Sequence, residues 1–333
     1  MTTTSNPPAT DESIPLTAKS HSAANNIFQG ISTTAAVIIL ATLAAVATFL
    51  LIEAWPALTD SSGEVASKIS WVRPDEGQSL IELAGYLLFG TVLISAVALL
   101  IATPLSIGIA LFISHYAPRR LAQGLGYLID LLAAIPSVVY GLWGAIVLIP
   151  VLQPIYEWIS RYFGWIPLFA PAADGTISST GRVAMSGAIV LAIMVIPIIT
   201  AVTREVFLQT PTLHEEAALA MGATRWEMIR MAVFPFGRSG VIGATMLGLG
   251  RALGETMAVY MILSVGLSYS FGLFNAASHN TIASFIAGNF PEANSSGVSA
   301  LIALGLALFV ITLLVNMAAR WVVSRRAEFS GAN

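Results

Sequence analysis

Cysteine is absent from all 333 residues, which excludes disulfides, thiolate metal sites and cysteine nucleophiles together. Charge is scarce as well, at 10 % of residues, against roughly 25 % in soluble domains. Lysine occurs only at Lys19 and Lys68, and neither follows a glycine. A nucleotide-binding loop needs Gly-Lys-Ser/Thr to hold phosphates, so the chain does not hydrolyse ATP by that chemistry and is expected to carry no cofactor of its own. The histidines, His21, His115, His214 and His279, fall in separate segments without ligand-like spacing, so no metal site is expected. The net charge of −3 says little about partners, and no nucleic-acid partner is expected.

Hydrophobic residues dominate instead, at 56 % of the chain, and the mean hydropathy is +0.81. The apolar runs are long and continuous rather than alternating, so the expected solution is an all-α membrane protein and not a barrel. Residues 1–29 are rich in Thr, Ser, Asn and Pro and read as a disordered tail. Six spans are expected at about 31–53, 85–114, 126–152, 182–203, 239–263 and 297–320, with a kink at Pro104 and a second tail at 323–333. Tyr156, Trp158, Tyr162 and Trp165 are placed in an exterior loop, and Trp55 and Trp71 at an interface. Six crossings put both termini on one side. Lys19, Arg119, Arg120, Arg204, Arg225, Arg230, Arg238, Arg320, Arg325 and Arg326 share that side, against Lys68, Arg73, Arg161 and Arg182 opposite, so both termini and the loop at 204–238 are expected to be cytoplasmic.

That loop carries EEAALAMGATRWEMIRMAVFP from Glu215 to Pro235. An alanine-rich helix from His214 to Met221 is expected, then a left-handed turn at Gly222 and a second helix through Met231. Thr224 and Glu227 have the spacing of a capping box on that second helix. Further on, Arg251 and Glu255 stand four residues apart within the expected fifth span, close enough to share one helix face. A charge there costs about 2.5–3.5 kcal/mol on insertion scales, which calls for a cavity or a partner. Arginine suits an oxyanion, because its planar fork donates two parallel hydrogen bonds and stays protonated. Glu255 would neutralise it between ligands, or the two would form a permanent ion pair. Thr256, Ser137 and Tyr140 are polar candidates for the same path or for helix packing. Asp130 is placed at a helix N-terminus, and Gly250 and Gly254 on a close-packing face.

The loop resembles the EAA loop of ABC importer permeases through Glu216, Ala217, Ala218, Gly222 and Pro235, with Ala232 and Phe234 at two positions usually Ile and Leu. The core Arg251-Ala252-Leu253-Gly254-Glu255 is similar to oxyanion permeases, and its continuation Thr256-Met257-Ala258-Val259 resembles the PstC-type subunits of bacterial phosphate importers. GTVLISAVALLIATPLSIGIALFIS and DLLAAIPSVVYGLWG add to the likeness, which covers roughly residues 80 to 322. The resemblance implies a six-helix type I ABC importer (MetI-like) permease fold, multi-pass in the bacterial cytoplasmic membrane. It implies Arg251, Glu255 and Thr256 in the translocation path, and Glu215, Glu216, Ala217, Ala218 and Gly222 in ATPase coupling. The implied partners are a PstA-like permease, two PstB-like ATPases that bind ATP-Mg and a PstS-like exterior phosphate-binding protein. A sulfate or molybdate permease, or an ion-coupled anion carrier, are the rival readings.

Overall fold

A computed structural model describes residues 23–60, 79–172 and 175–327. Lys19 and His21 in the expected N-terminal tail, Lys68, Trp71 and Arg73 in the first exterior loop, and residues 328–333 lie outside the described residues. The described residues are helical without strands, and six helices are long and apolar enough to cross a membrane: Asn26–Leu58, Leu80–Tyr116, Ser137–Phe163, Ala184–Leu208, Arg225–Leu253 and Ser295–Trp321.

The chain divides into two compact units, residues 1–49 and 50–333. Helix α1 (Ala23–Leu58) begins in the first, inside the expected tail, and there exposes Ile31, Ile38 and Leu40. An apolar helix with exposed side chains of this kind needs lipid or another apolar surface around it.

The second unit is built around α6 (Ala184–Leu208), which follows α2 (Leu80–Leu111), α3 (Arg119–Ala133), α4 (Ser137–Trp143) and α5 (Ile149–Phe163). Ala188, Leu191, Met194, Val195 and Ile199 of α6 are buried with Ile94, Ala98 and Ala102 of α2. Ser106 Oγ of α2 donates to the Ile196 carbonyl at 3.2 Å, a polar tie of the kind that joins helices in lipid. Next come α7 (Thr212–Ala220), α8 (Arg225–Met228), α9 (Phe234–Leu253), α10 (Met257–Ile262), α11 (Ile282–Asn289) and α12 (Ser295–Ala327). Helix α9 approaches α6 through glycines. A Cβ added at Gly248 would lie 2.7 Å from Ile199 Cδ1, and one at Gly237 2.8 Å from the Phe207 ring. The expected face of Gly250 and Gly254 makes no such contact: a Cβ at Gly250 meets nothing, and one at Gly254 meets only the Gly250 carbonyl.

Several boundaries differ from expectation. The third span runs over Ser137–Phe163, not 126–152. Pro136 lacks an N–H and biases Ile135 away from helix, so α3 ends at Ala133 and α4 starts afresh. Asp130 therefore sits in the last turn of α3, the dipole end that disfavours a carboxylate, and Tyr156, Trp158 and Tyr162 lie on α5 rather than in a loop. Tyr156 is buried, shares a hydrogen bond with Ser186 Oγ at 3.0 Å and stacks on Phe274. Helix α12 continues to Ala327, into the expected C-terminal tail. Helix α6 continues to Leu208 and the next span starts at Arg225, so the polar loop is shorter than 204–238.

Between the last two spans the chain forms an unanticipated buried insertion. Phe274 and Leu273 enter the main core, and His279 is 3 % exposed. Its Nε2 donates to the Ser270 carbonyl at 2.6 Å, its ring stacks on Phe89, and its Nδ1 is buried without a partner. Burial pushes the imidazole below its ordinary 6.5, against the opposing pull of the Ser270 carbonyl. The unfolded segment therefore takes up a proton first, and stability is lost as pH falls through the ordinary value. Protection of residues 264–281 against amide exchange, taken relative to the intrinsic rate at each pH, is expected to fall between about pH 7.5 and about pH 5.5. His279→Gln should flatten that dependence.

Candidate functional site

The helix that carries Arg251 stops two residues later. Gly254 turns the chain after Leu253, its N–H bonding to the Gly250 carbonyl at 3.3 Å, and Thr256 Oγ1 donates to the Gly254 carbonyl at 3.2 Å. Glu255 lies inside the break, 8 % exposed, and its Oε1 accepts from the Ala258 N–H at 3.2 Å. It thus caps the positive end of the six-residue helix α10. At the other end, Arg182 Nη2 donates to the Met261 carbonyl at 2.7 Å and Nε to the Ile262 carbonyl at 3.4 Å. A carboxylate and a guanidinium therefore complement the two ends of one short dipole.

This corrects the expectation of a shared helix face. Four-residue spacing places two side chains together only if the helix continues, and here it is broken between them. Among the described residues no ion pair or hydrogen bond joins Arg251 to Glu255. Arg251 is half-buried, and its Nε is buried without an acceptor. It borders a cavity of about 950 Å³ whose walls are largely apolar, with Ile198, Ile242, Met246 and Leu247 among them. Ser239, Asn316 and Arg320 are the other polar residues of the lining. A donor kept from water and from protein acceptors is costly, and a turn of the side chain toward the cavity would let an anion there satisfy it.

Of the other polar candidates, Tyr140 is buried and donates to the Leu132 carbonyl at 2.9 Å, a packing role, while Ser137 opens α4. Neither lines this cavity, and nor does Thr256. Helix α4 does seat α10: a Cβ at Gly141 would lie 2.7 Å from Ala258 Cα. Gly141→Ala is expected to push α10 off its seat at a cost of about 1–3 kcal/mol. Thermal unfolding of the detergent-solubilised protein measures it.

The second candidate region is the segment between α6 and α9. Helix α7 ends at Ala220, Gly222 takes φ +87°, and Thr224 and Glu227 form both hydrogen bonds of a capping box. Ala218 is buried against Phe207, Met228, Ile229 and Val233, which fixes the short helix to the bundle. Glu215 lies 3.4 Å from His115 Nε2, a tie to the end of the second span that the sequence did not reveal. Glu216 and Ala217 are exposed, beside Leu213 and Met221 at 72 % and 80 % exposure. Large exposed apolar side chains in a row with polar ones mark a surface for another protein. From Arg225 to Leu253 the chain is helical throughout, α8 passing into α9 through a π-helical turn at Ile229–Val233, so this surface and Arg251 are joined by roughly 39 Å of helix.

Comparison with known proteins identifies the family and the fold. Residues 102–328 match the family described as binding-protein-dependent transport system inner membrane component. The phosphate transport system permease protein PstC 2 of Mycobacterium tuberculosis is 46 % identical over 284 residues, covering 83 % of this chain and 84 % of that protein. PstC of Mesorhizobium japonicum is 38 % identical, with 98 % of each chain covered. Among solved structures, a chain of the MetNI methionine ABC transporter in its inward-facing conformations superposes with a TM-score of 0.52 at 14 % identity, covering 73 % of this chain and 95 % of that one. A chain of a bacterial ABC transporter involved in the import of the acidic polysaccharide alginate gives 0.51 at 18 % identity, covering 90 % and 99 %. At such identities the structural likeness concerns the fold alone, which is that of ABC importer permeases. The match over residues 102–328 and the extent of identity to the PstC proteins lead to one conclusion: this multi-pass membrane chain belongs to the family of binding-protein-dependent transport system inner membrane components, in its PstC-type permease branch.

Proposed function

We propose that this chain forms half of the translocation pathway of an ATP-driven phosphate importer. The carrying observation is the buried, unpartnered Nε of Arg251 on a cavity, at the far end of a helical stretch from an exposed docking surface. The chain performs no chemistry of its own. A phosphate oxygen completes the guanidinium's hydrogen bonds as the anion passes. Glu255 serves by holding α10 and the break in place, and Thr256 by closing the turn, so neither is assigned direct contact with the anion. The absence of an Arg251–Glu255 contact also removes the geometric basis for a proton relay between them, which disfavours an ion-coupled carrier.

The exposed surface around Glu216, Ala217 and Gly222, with Glu215 held by His115 and Ala218 anchoring it, is proposed to dock one of two PstB-like ATPases, which bind ATP-Mg. A PstA-like permease would complete the pathway, and a PstS-like exterior protein would deliver phosphate. Both termini are proposed to be cytoplasmic, on the arginine and lysine count, with the bundle in a bacterial plasma membrane. The substrate is tested by uptake of labelled phosphate into vesicles holding all partners, challenged with unlabelled phosphate, sulfate or molybdate. Competition by phosphate alone is the expected result, and stronger competition by sulfate or molybdate overturns the assignment.

A further inference from the structure

The cavity beside Arg251 contains a second cation. Arg320 lines it from the last span, and Asn316, one turn earlier on the same face of α12, lines it too. Neither side chain has a hydrogen bond or ion pair among the described residues, and the lining includes no Asp or Glu. Two guanidiniums thus share a mostly apolar cavity with no counter-charge of its own. Such a space focuses a positive potential and draws in an anion.

The two cations are also spread along the cavity. On α9 the lining extends from Arg251 back to Ser239, which is 12 residues, or roughly 18 Å of helix. The fifth and sixth spans cross in opposite directions, so Arg320, at the end of Ser295–Trp321, belongs at the Ser239 end, toward the side that carries the exposed docking surface. An arginine that only anchors a span end snorkels its head to the interface. Arg320 is exposed at the end of its span and, in addition, lines the space that Arg251 borders.

We propose that Arg320, assisted by Asn316 and Ser239, is a second oxyanion position that receives phosphate from Arg251 and releases it to the cytoplasm. This rests on the reading of Arg251 as a phosphate contact. Two successive sites of moderate strength suit transport, since a single tight one would retain its ligand. The chemistry recognised is a phosphate group, which a lipid headgroup also presents.

The test is initial phosphate uptake by the complete transporter in vesicles preloaded with increasing inorganic phosphate. In Arg320→Gln the internal concentration that halves the rate is expected to rise about tenfold, the loss of roughly one charge-assisted hydrogen bond. Arg320→Lys should fall between Gln and native. ATPase stimulation by the exterior binding protein confirms assembly in each case. If Arg320→Gln does not assemble, Asn316→Ala is read instead, with a shift of about threefold expected. Unchanged inhibition by internal phosphate overturns the proposal. So does an effect of Arg320→Gln that requires anionic phospholipid and disappears in pure phosphatidylcholine, which would assign the residue to a headgroup. Arg251→Gln is run alongside. If it transports at the native rate, the underlying reading of Arg251 fails, whereas an inactive Arg251→Gln beside an indifferent Arg320→Gln sinks this proposal alone.

Discussion

Arg251→Ala is expected to lower phosphate uptake by about 100-fold or more in vesicles that hold every partner, while the ATPase subunits remain bound. The magnitude follows from the chemistry. A charge-assisted hydrogen bond contributes about 1.5–3 kcal/mol, and about 2.7 kcal/mol is a factor of 100 in rate. Structural damage should be small, because the side chain makes no hydrogen bond or ion pair among the described residues and the residue borders a cavity. Replacing it relieves a desolvation cost instead of opening a packed core. Uptake and thermal stability should therefore part company, with transport lost and the unfolding temperature held or raised. Uptake by Arg251→Ala within twofold of native would remove the anion contact from the proposal. Arg251→Lys is expected to be intermediate, since an ammonium keeps the charge and loses the planar fork.

The second large effect is expected at Gly222→Val. Its φ of +87° lies in the left-handed region, where a β-branched residue is strongly disfavoured. A Cβ there would touch nothing, so the penalty is conformational and not steric. The left-handed backbone costs about 1–2 kcal/mol for an ordinary residue, and the turn can escape it by re-aiming α7 away from the capped start of α8. The docking surface would move while the span beyond it stays folded. Loss of ATPase co-purification and a fall in uptake of more than about tenfold are expected, with normal membrane insertion. Gly222→Asn should recover part of both, because asparagine tolerates this conformation better than most side chains.

Helix count and the polar segment between α6 and α9 were the features most legible in the residues. Long apolar runs have one solution in lipid, and Thr224 with Glu227 has a spacing that only a capping box explains well. Both depend on chemistry local to a few turns. Breaks inside apolar stretches were hidden, since hydropathy does not distinguish a continuous helix from two helices and a turn. Pro136 was the visible signal for the start of the third span, and its two constraints outweigh the apolar continuity around it. Gly254 was the weaker signal for the break after Arg251. It was read as a packing residue, although glycine also lowers helix propensity by about 1 kcal/mol. The consequence was a proposed pairing of Arg251 with Glu255 that the geometry does not contain. Glu255 turns out to cap α10, as Arg182 does from the opposite end, and Arg182 lies far enough away in sequence that no local pattern reveals it. His279 was judged only by its distance from other histidines, which carries no information about burial.

Arg251→Cys provides the most direct test of the central claim, because the chain has no other cysteine. In the assembled transporter the new thiol is to be treated with a water-soluble aminoethyl methanethiosulfonate, with and without phosphate and in each nucleotide state. The expected result is modification in at least one state, slowed by phosphate and accompanied by partial recovery of uptake as an ammonium is restored beside the cavity. A thiol that stays unreactive in every state, or that reacts without any effect of phosphate or any return of transport, would contradict the placement of Arg251 on the anion's route.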